Sequence, residues 1–453
     1  MSDQIVTNYP FTGEVLQKYA LATDEVIQTS LKKAEEAFLS WKNRDIVDRT
    51  DLLLKLAELL HQNKEQYANL ITQEMGKPYK ESLSEIEKCI WLVDFYEQNA
   101  EELLADELIE TEAQESFISY DPIGCVLAIM PWNYPFWQVF RFAVPTLTAG
   151  NTAILKHANN VTGCGLAIQS LFEAAGYPLG CFQTLLISHD QVATIIENDS
   201  IKAVSLTGSE KAGRAIAQIA GKNLKKTVLE LGGNNACIVL ADADLDTYIE
   251  TIVKARMQNS GQSCIAAKRF IVVDEIYETF LEKFKEKVAE IKFGEPLDPE
   301  TEIGTLARVD LAEEVQRQVD ESVAKGATVV VGNKRDKAFF EPTIITDVSS
   351  GMPIFDEEVF GPVAAIIKAK DSNHAFELAS DSSFGLGTML FTEDIETARE
   401  QIGRIEDGAF FINEMVKSDP RLPFGGTKAS GYGRELSREG ILEFVNKKTV
   451  YIK

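Results

Sequence analysis

The sequence predicts an α/β protein that is built on two doubly wound, largely parallel sheets. Its 453 residues are enough for two or three domains, and 45% hydrophobic with 25% charged residues is typical of globular proteins. Between residues 116 and 412, short apolar runs of strand length alternate with helix-length segments. Because strands that alternate with helices form parallel sheets, this rhythm indicates two successive α/β domains with a cleft between them.

The first hundred residues predict helices that precede both sheets. Thr23 is a predicted N-cap, and apolar residues recur after it at helical spacing. Asp45 is predicted to cap a second helix, whose continuation ends near the stop signal Gly76-Lys77-Pro78. A further helix is expected over residues 81–104.

After residue 116 the pattern changes to strands. The run FISYDPIGCVLAIM predicts two strands on either side of a turn at Asp121-Pro122, and a helix is expected near 136–149. Strand-like and helix-like segments then alternate in a first series: 164–175, 182–187, 203–206, 213–220 and 227–231. The strands of a second series are predicted at 270–273, 328–331, 364–367 and 408–412.

Composition excludes several functional classes. A formal net charge of −25 would repel nucleic-acid phosphates, so we expect no nucleic-acid partner. No apolar segment reaches the ~18 residues of a membrane helix, and the start lacks a secretory signal. The six cysteines and four histidines are scattered, which indicates reduced thiols in a cytoplasmic protein and no metal site.

The motif MQNSGQSCIAAK, residues 257–268, contains the candidate nucleophile Cys264. Gly261 allows a tight turn, and the small polar residues beside it leave the thiol accessible to a substrate. A lone cysteine is more often a small buried hydrophobe, so other motifs have to decide its role. Three accompany it: KTVLELGGN (226–234) with Glu230, PWNYP (131–135) with Asn133, and EEVFGPV (357–363) with Glu358 and Phe360.

These four motifs, taken in their order along the chain, resemble the aldehyde dehydrogenase superfamily, and the match runs from Asn8–Glu14 to Phe424–Glu435. The resemblance implies two Rossmann-like α/β domains and a small β oligomerisation flap. It assigns residues 1–105 and 123–231 to a cofactor-binding domain, 232–430 to a catalytic domain, and 106–122 with 431–453 to the flap. In the family the flap pairs with another subunit, so a homodimer or homotetramer is expected.

The resemblance also implies the chemistry. The Cys264 thiolate would add to an aldehyde carbon, and the resulting oxyanion would be held by the Asn133 side-chain amide and the Cys264 N–H. Loss of hydride to a nicotinamide would leave a thioester. Glu230 is the candidate base for the water that hydrolyses it, which favours release of a free acid over transfer to coenzyme A.

The expected cofactor is NAD or NADP. Thr207-Gly208-Ser209 follows a strand and opens a helix, where free N–H groups favour a pyrophosphate. The resemblance assigns Ser209 to the pyrophosphate, Lys156 to the adenosine ribose and Glu358 to the nicotinamide ribose. Further predicted cofactor residues are Trp132, Asn159, Thr207, Gly208, Gly213, Leu231 and Phe360. Asn159 stands where strictly NAD-dependent members carry a glutamate, so NADP stays possible; alternatively, Asn159 only caps the next helix.

Arg141 and Ser418 match the branch of the family that oxidises succinate semialdehyde. A guanidinium suits a substrate carboxylate, which implies a short carboxylated aldehyde as substrate. Gln258 replaces an arginine found in some members, and Ala266 removes a possible second cysteine. Three alternatives remain: Arg141 forms a structural salt bridge, the enzyme oxidises neutral aliphatic aldehydes broadly, or the chain is a catalytically silent relative.

Overall fold

The computed structural model describes residues 4–453. The strands are, in chain order, β1 (Gln4–Asn8), β2 (Val15–Ala20), β3 (Glu107–Leu108), β4 (Glu115–Pro122), β5 (Cys125–Met130), β6 (Thr152–His157), β7 (Phe182–Thr184), β8 (Ile201–Thr207), β9 (Lys226–Glu230), β10 (Asn235–Val239), β11 (Ala267–Val273), β12 (Thr328–Val331), β13 (Arg335–Asp336), β14 (Phe339–Phe340), β15 (Thr343–Thr346), β16 (Val363–Ala369), β17 (Phe384–Gly385), β18 (Thr388–Phe391), β19 (Phe410–Ile412), β20 (Thr427–Lys428), β21 (Gly431–Tyr432) and β22 (Val445–Ile452).

The α-helices are α1 (Asp24–Trp41), α2 (Ile46–Gln62), α3 (Lys64–Met75), α4 (Tyr79–Leu103), α5 (Trp137–Thr148), α6 (Thr162–Ala174), α7 (His189–Glu197), α8 (Glu210–Lys222), α9 (Leu245–Met257), α10 (Tyr277–Glu290), α11 (Val309–Ala324), α12 (Pro353–Asp356), α13 (Ser372–Ser380), α14 (Ile395–Gln401) and α15 (Ser437–Ile441). None of these helices, within the described residues, is long and apolar enough to cross a bilayer.

The first sheet has the strand order β21-β9-β8-β5-β6-β7. Strands β5 to β9 are parallel, and β21 is antiparallel at the edge. Helices α1, α7 and α8 cover one face with apolar side chains, and α2 to α6 pack on the other side. The chain winds outward from β5 in both directions, so the strand order reverses between β5 and β8. Such a reversal leaves a crevice at the carboxyl ends of the strands, where ligands bind.

The second sheet has the order β12-β15-β16-β11-β10-β18-β19. Its strands are parallel except β12, which pairs antiparallel with β15. Helices α9 and α10 bury their apolar faces on one side, and α11, α13 and α14 do so on the other. Both sheets therefore lie between two helical layers, and the predicted fold class of two doubly wound α/β units is confirmed.

The predicted N-terminal helices form with the predicted caps. The Thr23 hydroxyl accepts a hydrogen bond from the Val26 N–H, and the Asp45 carboxylate accepts one from the Val47 N–H. The second predicted helix is in fact two helices, α2 and α3, because the chain bends at Asn63. The hairpin β1–β2 was not predicted, although its turn carries the motif NYPFTGE.

A small separate sheet of order β22-β4-β3 corresponds to the predicted flap. Strands β4 and β22 pair antiparallel from Val445 with Pro122 to Ile452 with Glu115. The turn predicted at Asp121-Pro122 was wrong, because β4 continues through both residues. The chain turns at Ile123-Gly124 instead, where Gly124 has φ +133°.

The predicted flap segment 431–453 is not uniform. Its first strand, β21, pairs with β9 of the first sheet, and only β22 joins the flap sheet. The predicted flap boundary at residue 431 therefore places β21 in the flap, whereas β21 belongs to the first sheet. Glycine at position 431 permits this close pairing, because a Cβ there would overlap the backbone of Leu229. The other domain boundaries stay a prediction.

Candidate active site

The four sequence motifs meet between the two sheets. Trp132 and Asn133 follow β5, and Gly208 follows β8, on either side of the strand-order reversal. From the second sheet, Cys264 precedes β11 and Glu358 precedes the neighbouring strand β16. The cleft thus lies between the carboxyl edge of the first sheet and the amino edge of the second.

The loop before Cys264 has an unusual backbone. Asn259 and Ser260 have φ values of 55° and 52°, and Gly261 has φ 75°. Left-handed backbone costs non-glycine residues of order 1–3 kcal/mol each and persists only where the surroundings hold it. Here the Asn259 N–H donates to Glu81 Oε2 at 2.8 Å, and the Asn259 side chain donates to the Asn133 carbonyl at 2.8 Å. The loop that carries Cys264 is therefore tied to both α4 and the PWNYP turn.

The backbone of Cys264 is held firmly, but its thiol is not activated at rest. The Cys264 carbonyl accepts hydrogen bonds from Asn235 Nδ2 and Lys268 Nζ, each at 2.7 Å. Burial raises the pKa of the Cys264 thiol to about 11, although Lys268 and then Arg141 pull that pKa down. The thiol is consequently protonated at neutral pH and needs a base before it can attack.

Asn133 is placed to donate to an oxyanion. Its Nδ2 donates to the Gln262 carbonyl at 3.1 Å, which fixes the amide and leaves the second N–H of the group for another acceptor. The side chain is buried and lines the same cavity as Cys264.

Glu230 lies at the end of β9, as predicted, but the residue is only 2% exposed and lines neither of the two cavities that contain Cys264. Neither carboxyl oxygen has a hydrogen-bond partner among residues 4–453. Burial, followed by the nearby Glu435 carboxylate, raises the pKa of Glu230 well above its usual range. The buried position therefore favours the uncharged form of the Glu230 carboxyl. A base at this position requires rotation toward Cys264, where hydration would lower the pKa of the carboxyl.

Cys264 lies where two cavities meet. The larger, of about 430 Å³, is lined by most of the predicted cofactor residues: Trp132, Thr207, Gly208, Ser209, Leu231, Glu358 and Phe360. Trp132 and Phe360 meet edge to face at 5.7 Å. The Thr207 hydroxyl is buried without a hydrogen-bond partner in the part of the chain that the structure describes, so it is free for a ligand.

Two of the predicted cofactor residues have a structural role. Ser209 is the N-cap of α8, and its hydroxyl accepts from the Ala212 N–H at 3.3 Å. Gly213 does not line the cavity, and its assignment to cofactor binding stays a prediction. A Cβ at Gly213 would overlap the Leu231 side chain, and the glycine instead lets α8 approach β9 closely.

Glu358 occupies a position that requires the neighbouring glycine. A Cβ at Gly232 would overlap the Glu358 carboxylate, which accepts from the Gly233 N–H at 3.0 Å and lies 3.4 Å from Lys268 Nζ. The LGGN motif after Glu230 thus shapes the floor of the cavity. Glu358 keeps one carboxylate oxygen for a further donor.

A third cavity, of about 710 Å³, shares Arg308 with the cavity of about 430 Å³. It extends to Lys156, Asn159, Asn160 and His189. Among the described residues that line it, none is Asp or Glu. Lys156 Nζ donates to Asn159 Oδ1 at 3.4 Å, so the Asn159 side chain contacts the lysine and does not cap the next helix. Burial lowers the pKa of Lys156 to about 8.

The smaller cavity at Cys264, of about 150 Å³, contains all three predicted substrate residues, Arg141, Ser418 and Gln258. Arg141 is 2% exposed and its Nε forms an ion pair with Glu435. Its Nη2 is buried without a hydrogen-bond partner among residues 4–453. The salt-bridge alternative for Arg141 is therefore observed, yet the guanidinium also borders the cavity.

Three residues of this region were not predicted from the sequence as site residues: Glu435, Gln138 and Lys88. Glu435 is the last residue of the matched range Phe424–Glu435, so the match itself was a signal for this residue. Gln138 lines both cavities at Cys264, and Lys88 lines the smaller one from α4. No local pattern distinguishes Lys88 from the other charged residues of that helix. Within residues 4–453, no group of three or more potential metal ligands is present.

Two doubly wound sheets, with a cysteine where a large cavity and a smaller cavity that contains Arg141 meet, are the arrangement of a dinucleotide-dependent oxidoreductase. The chain belongs to the aldehyde dehydrogenase family, whose sequence profile matches residues 1–450. The resemblance inferred from the motifs is thereby confirmed, and the chain is an oxidoreductase that acts on aldehydes.

Three relatives show how close the similarity is. The chain is 46% identical over 451 residues to a probable succinate-semialdehyde dehydrogenase [NADP(+)] of Synechocystis, with 99% of both chains covered. It is 44% identical over 454 residues to succinate-semialdehyde dehydrogenase [NADP(+)] 1 of Mycobacterium tuberculosis, again with 99% of both covered. The crystal structure of succinic semialdehyde dehydrogenase from Streptococcus pyogenes with NADP+ superposes with a TM-score of 0.97 at 38% identity, covering 99% of each chain.

Proposed function

We propose that this enzyme oxidises succinate semialdehyde, or a similar short carboxylated aldehyde, to the free acid with NADP as the preferred cofactor. The observation that carries the proposal is the position of Cys264 between two cavities. The cofactor cavity adjoins a third cavity with cationic side chains and no carboxylate among the described residues, and the small cavity borders Arg141. Relatives of 44–46% identity that are named succinate-semialdehyde dehydrogenase [NADP(+)] support the proposal.

The residues of the cleft fit a nicotinamide dinucleotide. Thr207 and the start of α8 offer a hydroxyl and N–H groups for the phosphates, and Glu358 offers a carboxylate oxygen to a ribose hydroxyl. When bound, the nicotinamide supplies the hydride acceptor. Trp132 and Phe360, which pack edge to face, supply an aromatic part of the cavity wall.

The chain itself supplies the nucleophile, the oxyanion donor and the base. Cys264 adds to the aldehyde carbon once its thiol has lost a proton, and the free N–H of the Asn133 amide donates to the oxygen that becomes negative. After oxidation the acyl group remains on Cys264 as a thioester. Glu230, rotated out of its buried position, takes a proton from the water that attacks this thioester.

NADP is preferred because of the third cavity. Lys156, His189 and Arg308 line it, and the absence of a carboxylate among the described residues there removes the repulsion that a 2′-phosphate would meet. Asn159 is a neutral partner of Lys156, so it neither repels the phosphate nor neutralises the lysine.

Asn159→Glu should therefore reduce affinity for NADP far more than affinity for NAD. A carboxylate at this position would pair with Lys156 and face the 2′-phosphate, and we expect about tenfold or more discrimination, since an unfavourable charge contact is worth roughly 1–3 kcal/mol. Dissociation constants of both cofactors are to be measured by fluorescence titration. Asn159→Gln is the matched control and should leave the ratio unchanged. An equal effect on both cofactors would show that Asn159 is remote from the ribose.

The substrate is inferred from the small cavity. A volume of about 150 Å³ suits a short chain, and the buried Arg141 N–H group without a partner can donate to a carboxylate. Ser418 is buried at the same cavity and provides a hydroxyl. Gln258 borders the cavity as a neutral side chain, where an arginine would have added charge.

Arg141→Ala should lower kcat/KM for succinate semialdehyde about ten- to a hundredfold more than for butyraldehyde, because a hydrogen bond to a charged group contributes roughly 1.5–3 kcal/mol. Since the change also strands the buried Glu435, Arg141→Lys is needed as a variant that keeps the ion pair without the planar fork. Arg399→Ala, at an exposed arginine of α14 that lines none of these cavities, is the control. Equal losses on both aldehydes would make Arg141 structural and favour a broad aldehyde dehydrogenase.

We also propose a homodimer or homotetramer that is joined through the flap. The apolar side chains Leu108, Tyr451 and Ile452 of the flap sheet are exposed at 75%, 56% and 44%. Exposed strands of this kind favour pairing with another chain. Light scattering coupled to size exclusion gives the mass of the oligomer.

A cytoplasmic location remains a proposal, supported by six free cysteines.

A further inference from the structure

Lys88 is a cation in the substrate cavity that has no acidic partner. It projects from α4, lines the cavity of about 150 Å³ together with Cys264, and is partly buried. Its Nζ lies 4.4 Å from the centre of the Trp137 ring and donates to Ser418 Oγ at 2.7 Å. Within residues 4–453, no carboxylate lies within ion-pair distance of Lys88.

The other cations of the cavity, and Glu85, have partners of opposite charge. Arg141 is paired with Glu435, and Lys77 is paired with Glu85. The remaining Glu85 oxygen accepts from the Phe136 and Trp137 N–H groups at the start of α5. Lys417, at the same cavity, is paired with Glu414 at 2.7 Å. Lys88 is therefore the uncompensated cation among the described residues of this cavity.

Glu81 is the remaining charged group at the cavity, and it does not cancel Lys88. Its Oε2 accepts from the Asn259 N–H at 2.8 Å, and burial raises the pKa of its carboxyl to about 7. A substantial part of Glu81 is thus protonated at neutral pH. Asp419, which follows Ser418, binds the Arg421 guanidinium through both carboxylate oxygens.

The hydrogen bond between Lys88 and Ser418 also orients a second donor. An ammonium can only donate, so Ser418 Oγ accepts from Lys88 and its own hydrogen stays available for another acceptor. The ammonium has three N–H groups, of which Ser418 takes one. Lys88 and Ser418 together therefore offer donors from both groups to an anion in the cavity.

We propose that Lys88 is a specificity-determining residue that binds the carboxylate of the substrate together with Ser418 and Arg141. The inference rests on the proposed function, because it names the group that supplies the net positive charge for a carboxylated aldehyde. Arg141 contributes hydrogen bonds but brings its own counter-ion, whereas Lys88 contributes the charge. Substrates of the class are short aldehydes with a carboxylate at the far end.

The test compares Lys88→Met with Lys80→Met, which removes an exposed lysine from the same helix. Lys88→Met keeps the length of the side chain but removes the charge. Its kcat/KM for succinate semialdehyde should fall about tenfold or more, as is typical for loss of a hydrogen bond to a charged group. Its kcat/KM for butyraldehyde should change by less than about twofold, since that substrate has no carboxylate to lose. Lys88→Arg should recover part of the loss, and Lys80→Met should match the wild type.

The pH profile gives a second readout that a merely structural lysine would not alter. Burial, and then the Arg141 charge, lower the pKa of Lys88 to about 8, while Cys89, Asp419 and Glu85 act in the opposite direction. Lys88 is charged below this pKa and neutral above it. The ratio of the two kcat/KM values, acid substrate over neutral substrate, should therefore fall as the pH rises through about 8. Lys88→Met should have the low ratio throughout and lack this step.

Succinate, the product, measures binding of a carboxylate in the cavity without turnover of succinate semialdehyde. Its inhibition constant against butyraldehyde should rise about tenfold or more in Lys88→Met, for the same reason. An unchanged succinate constant and an unchanged substrate ratio would overturn the assignment of Lys88, as would equal losses on both aldehydes. A wild-type enzyme that does not distinguish the two aldehydes would instead refute the proposed function itself.

Discussion

Cys264→Ala is expected to abolish aldehyde oxidation, with activity reduced by at least about 10³-fold, the order of effect for removal of a covalent nucleophile. Cys264 lines both cavities, and no other cysteine lines either of them among the described residues. The formation of reduced nicotinamide, followed by absorbance, measures the effect. Cofactor affinity should stay within about twofold, because the thiol has no hydrogen-bond partner among residues 4–453 whose loss would disturb the loop.

Cys237→Ala is the matched control, since Cys237 is a fully buried cysteine of β10 that lines neither cavity. It should retain activity. Dehydrogenase activity of Cys264→Ala above a few per cent of the wild type would contradict covalent catalysis at this position.

Glu230→Gln is expected to slow steady-state turnover by about 10²–10⁴, the usual contribution of a general base. The rapid first burst of reduced cofactor should be much less affected, because the burst precedes hydrolysis of the thioester. Rapid-mixing kinetics separate the two phases. Gln is the appropriate replacement, since burial favours the uncharged form of the Glu230 carboxyl and the amide has the same shape.

The sign of the pH dependence follows from the raised pKa of Glu230. The charged form, which accepts a proton from water, becomes more populated as the pH rises, so steady-state turnover of the wild type should increase with pH. Glu230→Gln should lose this rising limb. Equal losses in the burst and in turnover would assign Glu230 to activation of Cys264 or to folding.

Much of the fold was accessible from sequence because it depends on local patterns. The alternation of strand-length and helix-length apolar segments indicated both sheets, and Thr23 and Asp45 cap the helices that they were expected to cap. Local signals were less precise where pairing decides the boundary. Strand β4 runs through Asp121-Pro122 because it follows β22 along its whole length, and that pairing connects residues more than 300 positions apart.

The side chains that carry the chemistry were predicted only as members of motifs. Sequence located Cys264, Asn133, Glu358 and Phe360, and the structure brings them to one cleft. The sequence could not show that Gly213 lets α8 pack closely on β9 or that Glu230 is buried away from the cavities. Both features depend on neighbours in the tertiary structure.

The sequence by itself determined the fold class, the family and the order of the four motifs around Cys264. Only the tertiary structure decided the electrostatics of the substrate cavity. Arg141 meets Glu435 across 294 positions and Lys88 meets Ser418 across 330, so no local periodicity records either contact. The physical reason is that a charge acts through distance and burial: whether a lysine or arginine can bind a substrate carboxylate depends on which acid the fold places beside it.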